Sequence, residues 1–307
     1  MSNKFLKKLL LPFIVAVIVS LCSCSSLSKA QLESVARFAE TCDSFSAYPS
    51  LIFYELNQIR KESAIWYAAS LTVPENRVGE IIKVVEFNKE ENKVAKATDI
   101  SLKILTGYSS SLKSLAHQNR ITDPGREIRS AGRAVDTLIT SFNSLKITKP
   151  ISTGIISTSA RIIAYGAELN ATRARADALR KFIPAGDTLI NELCVALESL
   201  LKGDEVKSLI EHEQKMLQNN YLSYVRVAGS NIQEDRRFAE FTERAKDLSK
   251  LRTSTITSIG ALRRAHNKLT TMVDEGISLL ELIKDIEEFG NEVEKLYKAT
   301  KKWQKNQ

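Results

Sequence analysis

The strongest periodic pattern in the chain covers residues 262–297, which read LRRAHNKLTTMVDEGISLLELIKDIEEFGNEVEKLY. Apolar or small residues recur there at alternating steps of three and four over five heptads. The members of this seam are Leu262, Ala265, Leu269, Met272, Gly276, Leu279, Ile283, Ile286, Gly290, Val293 and Tyr297. Such spacing is typical of a helix that packs along one face in a coiled-coil-like bundle. We therefore predict a helix, and extend it over residues 232–302 because the preceding break is Gly229-Ser230-Asn231.

Two glycines, Gly276 and Gly290, lie on the seam. Close approach of a neighbouring helix is favoured there over a hinge, although each glycine costs about 1 kcal/mol in helix propensity relative to alanine. At ~1.5 Å per residue, an unbroken helix over residues 232–302 would be about 100 Å long. Its length predicts an elongated bundle.

Composition places the rest of the chain in the same class. The sequence has 307 residues, of which 43% are apolar and 26% charged, so it can build a core and is not broadly disordered. Only 12 glycines and 6 prolines occur, which favours long helices over strands joined by turns. The prediction is an all-α fold, an elongated bundle of about five to seven helices with a long coiled-coil-like C-terminal helix.

Prolines mark the other helix boundaries, because proline occurs at first turns or just beyond helix ends. The expected helices cover residues 30–45, 50–71, 75–118 and 122–145, a segment after Pro150, and a segment capped by Asp187. Pro184-Ala185-Gly186-Asp187 predicts a helix break and suggests a subdivision near residues 184–187. Residues 78–87, VGEIIKVVEF, are the best strand candidate, and helix is favoured because polar residues interrupt the alternation.

The N-terminus has the organisation of a secretory signal. Residues 1–8, MSNKFLKK, are cationic, and a 13-residue apolar run follows from Leu9 to Leu21. This run is too short for a transmembrane helix, which takes about 20 residues. A basic head followed by a short apolar run predicts export.

The end of the apolar run, Leu21-Cys22-Ser23-Cys24, resembles the lipobox of bacterial lipoproteins. The resemblance covers residues 1–26 only. It implies a thioether-linked diacylglyceryl group on Cys24, cleavage before this residue, and N-acylation of the new terminus, with palmitate as the expected acyl group. Cys24 fits the pattern because the small Ser23 precedes it, whereas Cys22 would place Leu21 in the small position.

The resemblance implies the signal peptide, the tether and a location, and the helical pattern with the C-terminal lysines gives the remaining segments. The predicted segments are a lipoprotein signal peptide at 1–23, a lipidated tether at 24–29, a helical bundle at 30–302 and a basic C-terminal tail at 303–307. In proteobacterial lipoproteins, serine after the cysteine resembles cargo sent to the outer membrane, and Ser25 occupies that position. The expected location is therefore the cell envelope, at the outer membrane and facing the periplasm.

Processing would leave two cysteines without lipid, Cys42 and Cys194. An oxidising compartment permits a disulfide between them. The alternative is two separate buried thiols that act as small apolar residues. Sequence alone leaves both interpretations open, because it does not give their distance.

Charge and motifs point away from several function classes. Without residues 1–23 the chain has 41 basic and 36 acidic residues, a net charge of +5, and it lacks the basic, aromatic-rich stripe that nucleic acid requires. None of His117, His212 and His266 has a glutamate three positions before it, as a di-iron bundle would need. Glu211-His212-Glu213 is interpreted as a solvated face. No catalytic residue, metal site or cofactor is predicted.

Two further stretches leave alternatives. Ile151–Leu169 is small, β-branched and almost uncharged, so it could insert into membranes as in pore-forming toxins, although a buried bundle helix is favoured. The last residues, KLYKATKKWQKNQ, could contact an anionic surface or form a solubilising tail. The leading prediction is a membrane-anchored, non-enzymatic scaffold or adaptor that binds a protein partner through its helical faces. The alternatives are a membrane-active helical protein and a cell-wall enzyme or its regulator.

Overall fold

The structure, a computed structural model, describes residues 27–87, 93–116, 124–158, 172–229, 231–275 and 278–304. Nine α-helices and no strands are found in these ranges. They are α1 Lys29–Phe45, α2 Leu51–Ser70, α3 Pro74–Phe87, α4 Lys93–Ala116, α5 Pro124–Ser144, α6 Thr172–Lys202, α7 Asp204–Ala228, α8 Ile232–Glu275 and α9 Leu279–Gln304. The all-α prediction is confirmed, and the expected number of helices was too low.

Helix α8 is the longest element, with 44 residues and a length of about 66 Å. Helices α1 and α2 follow each other along it in the opposite direction. Phe38 of α1 lies against His266 near the end of α8, with ring centroids 5.7 Å apart. Trp66 of α2 donates to Glu234 near the start of α8 over 2.8 Å.

Helices α6 and α7 run along α8 in the same direction as α1 and α2. Asp187 of α6 meets His266, and Tyr221 of α7 donates to Asp235. The chain bends between α6 and α7 at Gly203, the N-cap residue of α7. Arg252 of α8 donates to the backbone oxygen of Leu201 and so satisfies a carbonyl in the last turn of α6.

Two ends of the bundle can therefore be defined. The lower end holds the start of α1, the end of α8 and the start of α9. The upper end holds the C-terminal ends of α2 and α7 and the start of α8. Helix α4 packs on the lower half, against α1 and α6, and α5 packs against α4, whereas α3 packs mainly against α2.

The single helix predicted over residues 232–302 is wrong, because α8 and α9 form an antiparallel pair. Lys268 of α8 lies 2.8 Å from Glu281, and Arg264 lies 2.5 Å from Glu288. In one continuous helix, the first pair would be about 20 Å apart and the second about 36 Å. The chain must therefore reverse between Lys268 and Glu281. Gly276, one of the two glycines on the seam, lies outside the described residues.

The described seam members in α8 are all buried, whereas in α9 only Ile286 and Val293 are, and Tyr297 is 42% exposed. The buried members Leu262, Ala265, Leu269, Met272, Ile286 and Val293 are all at most 6% exposed. The close approach expected at Gly290 is wrong, because a Cβ atom there would meet nothing within 4 Å. The seam is thus two helical faces that pack within one bundle, and its periodicity continues across the reversal.

Most expected helix boundaries agree with the structure, and one break does not. Ser28 caps α1 through a capping box with Gln31, and residues 78–87 are helical within α3. Pro184, however, lies inside α6, which continues through residues 184–187. The predicted break is wrong because buried side chains on both sides of the proline hold the helix, although an interior proline costs about 3 kcal/mol. These side chains are Phe182, Ile183, Leu189 and Ile190.

Other expectations fall partly outside the described residues. Helices α3 and α4 cover most of the predicted helix over 75–118, and residues 88–92 between them are not described. Thr122 and Asp123, at the start of the helix predicted over residues 122–145, are also outside the described residues. Of the run Ile151–Leu169, only residues 151–158 are described. In the described part of the chain, no helix is long and apolar enough to span a membrane.

Candidate functional site

A buried chain of polar groups crosses the lower half of the bundle. The hydroxyl of Tyr108 and Nε2 of His266 are 2.7 Å apart, and Nδ1 of His266 lies 3.2 Å from Oδ1 of Asp187. Because a carboxylate only accepts, Nδ1 is the donor, and Nε2 of the neutral ring accepts from the tyrosine. Asn191 and Thr270 donate to the same carboxylate.

Gly186 leaves space for the ring of Tyr108 beside α6. A Cβ atom on Gly186 would lie 2.6 Å from Cζ of Tyr108, so the absence of a side chain allows the tyrosine ring to lie against α6. Phe182, one turn earlier, stacks on the same ring at a centroid distance of 5.4 Å. The stretch interpreted as a helix break is therefore the part of α6 that holds the polar chain.

The arrangement of carboxylate, imidazole and hydroxyl resembles an acid–base relay, but its imidazole and hydroxyl are closed to a substrate, and its exposed end is the Asp187 carboxylate. Tyr108 and His266 are both fully buried, and a catalytic group must come within hydrogen-bond distance of the group that reacts. Burial also raises the pKa of Tyr108 well above its ordinary value, so the phenol stays protonated. This polar chain therefore acts in the structure of the core.

The hydrogen-bonded groups at His266 make the stability of the protein depend on pH. Burial lowers the pKa of His266, and the hydrogen bond from His266 lowers the pKa of Asp187. Below the ordinary histidine pKa of about 6.5, the unfolded chain therefore binds a proton that the folded chain does not. For each such proton, the free energy of unfolding falls by up to about 1.4 kcal/mol for every unit by which the pH is lowered.

We accordingly expect the free energy of unfolding to fall from pH 7.5 to pH 5, and to fall less in His266→Asn. Urea unfolding at the two pH values measures both slopes. His212→Asn is the matched control because it removes an exposed histidine of α7. Equal slopes in all three proteins would show that His266 titrates normally in the core.

The two cysteines of the predicted disulfide lie in the same core. Cys42 of α1 and Cys194 of α6 are fully buried and are free thiols in the structure. Burial raises the pKa of Cys42 and raises that of Cys194 to about 12, and each thiol therefore stays protonated. The disulfide stays a prediction for the oxidised protein, while Cys24, the predicted lipid site, lies outside the described residues.

The upper half of the bundle holds a ladder of buried ion pairs. Oε2 of Glu55 accepts from Nε and Nη2 of Arg244 over 3.0 and 2.6 Å. Arg237 donates to Glu62, and Arg60 pairs with Glu213. These three glutamates, on α2 and α7, are at most 5% exposed. The ladder joins α2 to both α7 and α8.

The ladder corrects one interpretation of the sequence, and it contains one buried oxygen atom without a hydrogen bond. Glu211-His212-Glu213 is not a wholly solvated face, because Glu213 is buried against Arg60, which places one edge of α7 in the core. Burial raises the pKa of Glu62 despite its pairing with Arg237, and its Oε1 atom has no hydrogen-bond partner. Sequence reasoning missed both the ladder and the polar chain at His266.

Helix α3 differs from the other helices in its exposure. None of its side chains that the structure describes is buried. Val78, Ile81 and Ile82 are 56%, 41% and 51% exposed, and their spacing places them on one face of the helix. We call these three residues the α3 face. Contiguous exposed aliphatic groups of this kind mark interaction sites.

A groove lies beside this helix, between α2 and α3. Its cavity has a volume of about 190 Å³. Ala64 and Val84 supply apolar lining, whereas the charged lining consists of Arg60, Lys61, Lys83 and Glu80. Arg60 pairs with Glu213 and Lys83 pairs with Glu80, so the excess positive charge of this lining rests on Lys61. The α3 face is the candidate functional site, and the groove borders the other side of the same helix.

Within the described residues, no group of three or more His, Cys, Asp or Glu side chains could hold a metal ion. Comparisons with family models, with curated proteins and with solved structures found no match to this chain. The fold and the site define a class, an all-helical bundle with an exposed aliphatic face on one of its helices.

Proposed function

We propose that this chain is an envelope lipoprotein, anchored through lipid on Cys24 and serving as a non-enzymatic scaffold for a protein partner. The observation that supports a scaffold is the α3 face, whose three aliphatic side chains are about half exposed. Full burial of such a side chain contributes about 1.5–3 kcal/mol. A partner that covers the face would therefore gain binding energy without any change in the core.

The proposed occupant of the α3 face is an amphipathic helix of the partner that carries acidic residues. A helix laid along the outer side of α3 would place its apolar face on Val78, Ile81 and Ile82, in the manner of helix-in-groove recognition. Lys83, an exposed cation next to Ile82, favours acidic residues at one edge of that helix. Charge complementarity of this kind adds mainly to specificity and association rate.

The position of the groove also suits a scaffold. The pairs Glu55–Arg244 and Glu62–Arg237 set the groove beside the first third of α8, about 50 Å along that helix from its C-terminal end. We infer an elongated body, anchored to the outer membrane at its lower end, that presents the α3 face in the periplasm. The membrane-active and cell-wall alternatives have no comparable feature among the described residues.

Photo-cross-linking in intact envelopes tests the proposal. A cross-linking amino acid replaces Ile81 in the full chain, and the matched control replaces Val195, an exposed aliphatic residue of α6. We expect an adduct from position 81, mapped to an acidic amphipathic segment of one protein, and none from position 195. Lys83→Glu should weaken it.

The same experiment can contradict the proposal. Equal adducts from positions 81 and 195 would mean that the face has no specific partner. An adduct that Lys83→Glu leaves undiminished would exclude the acidic helix as occupant. Cross-linking to lipid from position 81 would assign the α3 face to a membrane surface.

A further inference from the structure

We propose that the lower end of the bundle rests on the membrane surface and that Leu280 inserts among the lipid headgroups. This inference rests on the proposed anchor at Cys24. The lipid surface is the partner, and the start of α9 is the part of the protein that contacts it. The inference follows from the length of the tether and from the side chains at this end.

The tether is shorter than residues 24–29 suggest. Leu27 is only 5% exposed and belongs to the hydrophobic core. Ser28 is fixed as well, because its backbone N–H donates to Oε1 of Gln31 over 2.8 Å. Only three residue steps separate Cys24 from Leu27, and they span at most about 10 Å. A lipid on Cys24 therefore holds the folded body directly against the bilayer.

The start of α9 lies at this end beside the start of α1. Ala30, in the first turn of α1, and Ile283, in the second turn of α9, line one cavity of about 230 Å³. Leu280 precedes Ile283 by three residues and is 77% exposed, the highest exposure among the described large apolar side chains. Its neighbour Leu282 is buried. Leu280 thus projects from the end of the bundle that the tether brings to the membrane.

Charges at this end nearly cancel, which makes the contact apolar. Lys29 pairs with Glu33 at 3.8 Å, and Lys268 pairs with Glu281 at 2.8 Å. Lys284 adds one further exposed cation. An electrostatic contact would weaken as salt screens it. Insertion of Leu280 should not, and it should occur on vesicles of zwitterionic phospholipid.

Fluorescence quenching on such vesicles tests the inference. A fluorophore is attached to Leu280→Cys in the full lipidated protein, and the quencher is a nitroxide on the lipid headgroup. Ile232→Cys is the matched control, because Ile232 is 67% exposed at the upper end, about 66 Å away along α8. The thiols of Cys42 and Cys194 are fully buried, so native labelling leaves them unmodified.

We expect loss of fluorescence at position 280, unchanged by high salt, and no loss at position 232. The lipid on Cys24 is measured by mass on the same sample, which separates this inference from the anchor. With lipid present, equal signals at the two positions, whether both quenched or both unquenched, would overturn the inference and leave the anchor standing. Absence of lipid on Cys24 would overturn both.

Discussion

Arg244→Met is expected to destabilise the protein by about 3–5 kcal/mol, because it leaves a charged carboxylate without a partner in the core. Glu55, the partner of Arg244, is 2% exposed, and both of its hydrogen bonds from Arg244 reach one oxygen. Arg244 also lies over the ring of Phe241, 4.5 Å from its centroid. The loss is a large part of the 5–15 kcal/mol by which a folded domain is typically stable.

Urea unfolding of Arg244→Met measures this effect, and two further variants define its origin. The double variant Glu55→Leu/Arg244→Met should recover most of the stability, because apolar residues of similar volume replace a buried ion pair at little cost. Arg264→Met removes a half-exposed pair on the same helix, that with Glu288, and should cost at most about 1 kcal/mol. Equal losses in the two single variants would show that the Glu55 pair is solvated.

Gly186→Ala is expected to destabilise the protein by about 2 kcal/mol or more, although alanine is the better helix former. The new methyl group would overlap the ring of Tyr108, whose Cζ atom lies 2.6 Å from the Cβ position. The ring cannot move freely, because it stacks on Phe182 and is hydrogen-bonded to His266. Thermal or urea unfolding gives the change.

The matched control is Gly290→Ala in α9, where a Cβ atom meets nothing within 4 Å. This variant should stabilise the protein by about 0.4–1 kcal/mol, because alanine restricts the unfolded chain and fits the helical backbone. The two substitutions are chemically identical and are expected to have opposite signs. Destabilisation by both would mean that α9 packs more tightly than the structure shows.

Local pattern was enough to predict the fold class. The steps of three and four in residues 262–297 gave the buried face of α8, and the expected helix over residues 30–45 agrees with α1. Helix type in residues 78–87 also followed from the sequence. These features depend on neighbours in the chain, which is why sequence alone contains them.

The reversal between α8 and α9 could not be predicted in the same way. The seam keeps its phase from Met272 to Leu279, so a continuous helix and a folded pair give the same pattern. Only contacts across the turn, such as Lys268 with Glu281, distinguish the two. The break expected at Pro184 failed for the related reason that packing of distant side chains overrides local preference.

The buried ladder did leave a sequence signal. Glu55 and Glu62 are seven residues apart, as are Arg237 and Arg244. Seven residues are close to two helical turns, so each pair lies on one helix face. Two acidic residues on one helix and two basic residues on another, with the same spacing, indicate that these two helix faces pack together. The signal could have been found, although burial of the glutamates required the fold.

The proposed anchor is tested most directly by the mass of the mature N-terminal peptide, taken from the unaltered protein, Cys24→Ser and Cys22→Ser. The unaltered protein and Cys22→Ser are expected to begin at Cys24, with a diacylglyceryl thioether and an N-linked acyl chain. Cys24→Ser should carry no lipid and should leave the membrane fraction. Lipid retained in Cys24→Ser, or lost in Cys22→Ser, would contradict the anchor on which the proposed scaffold depends.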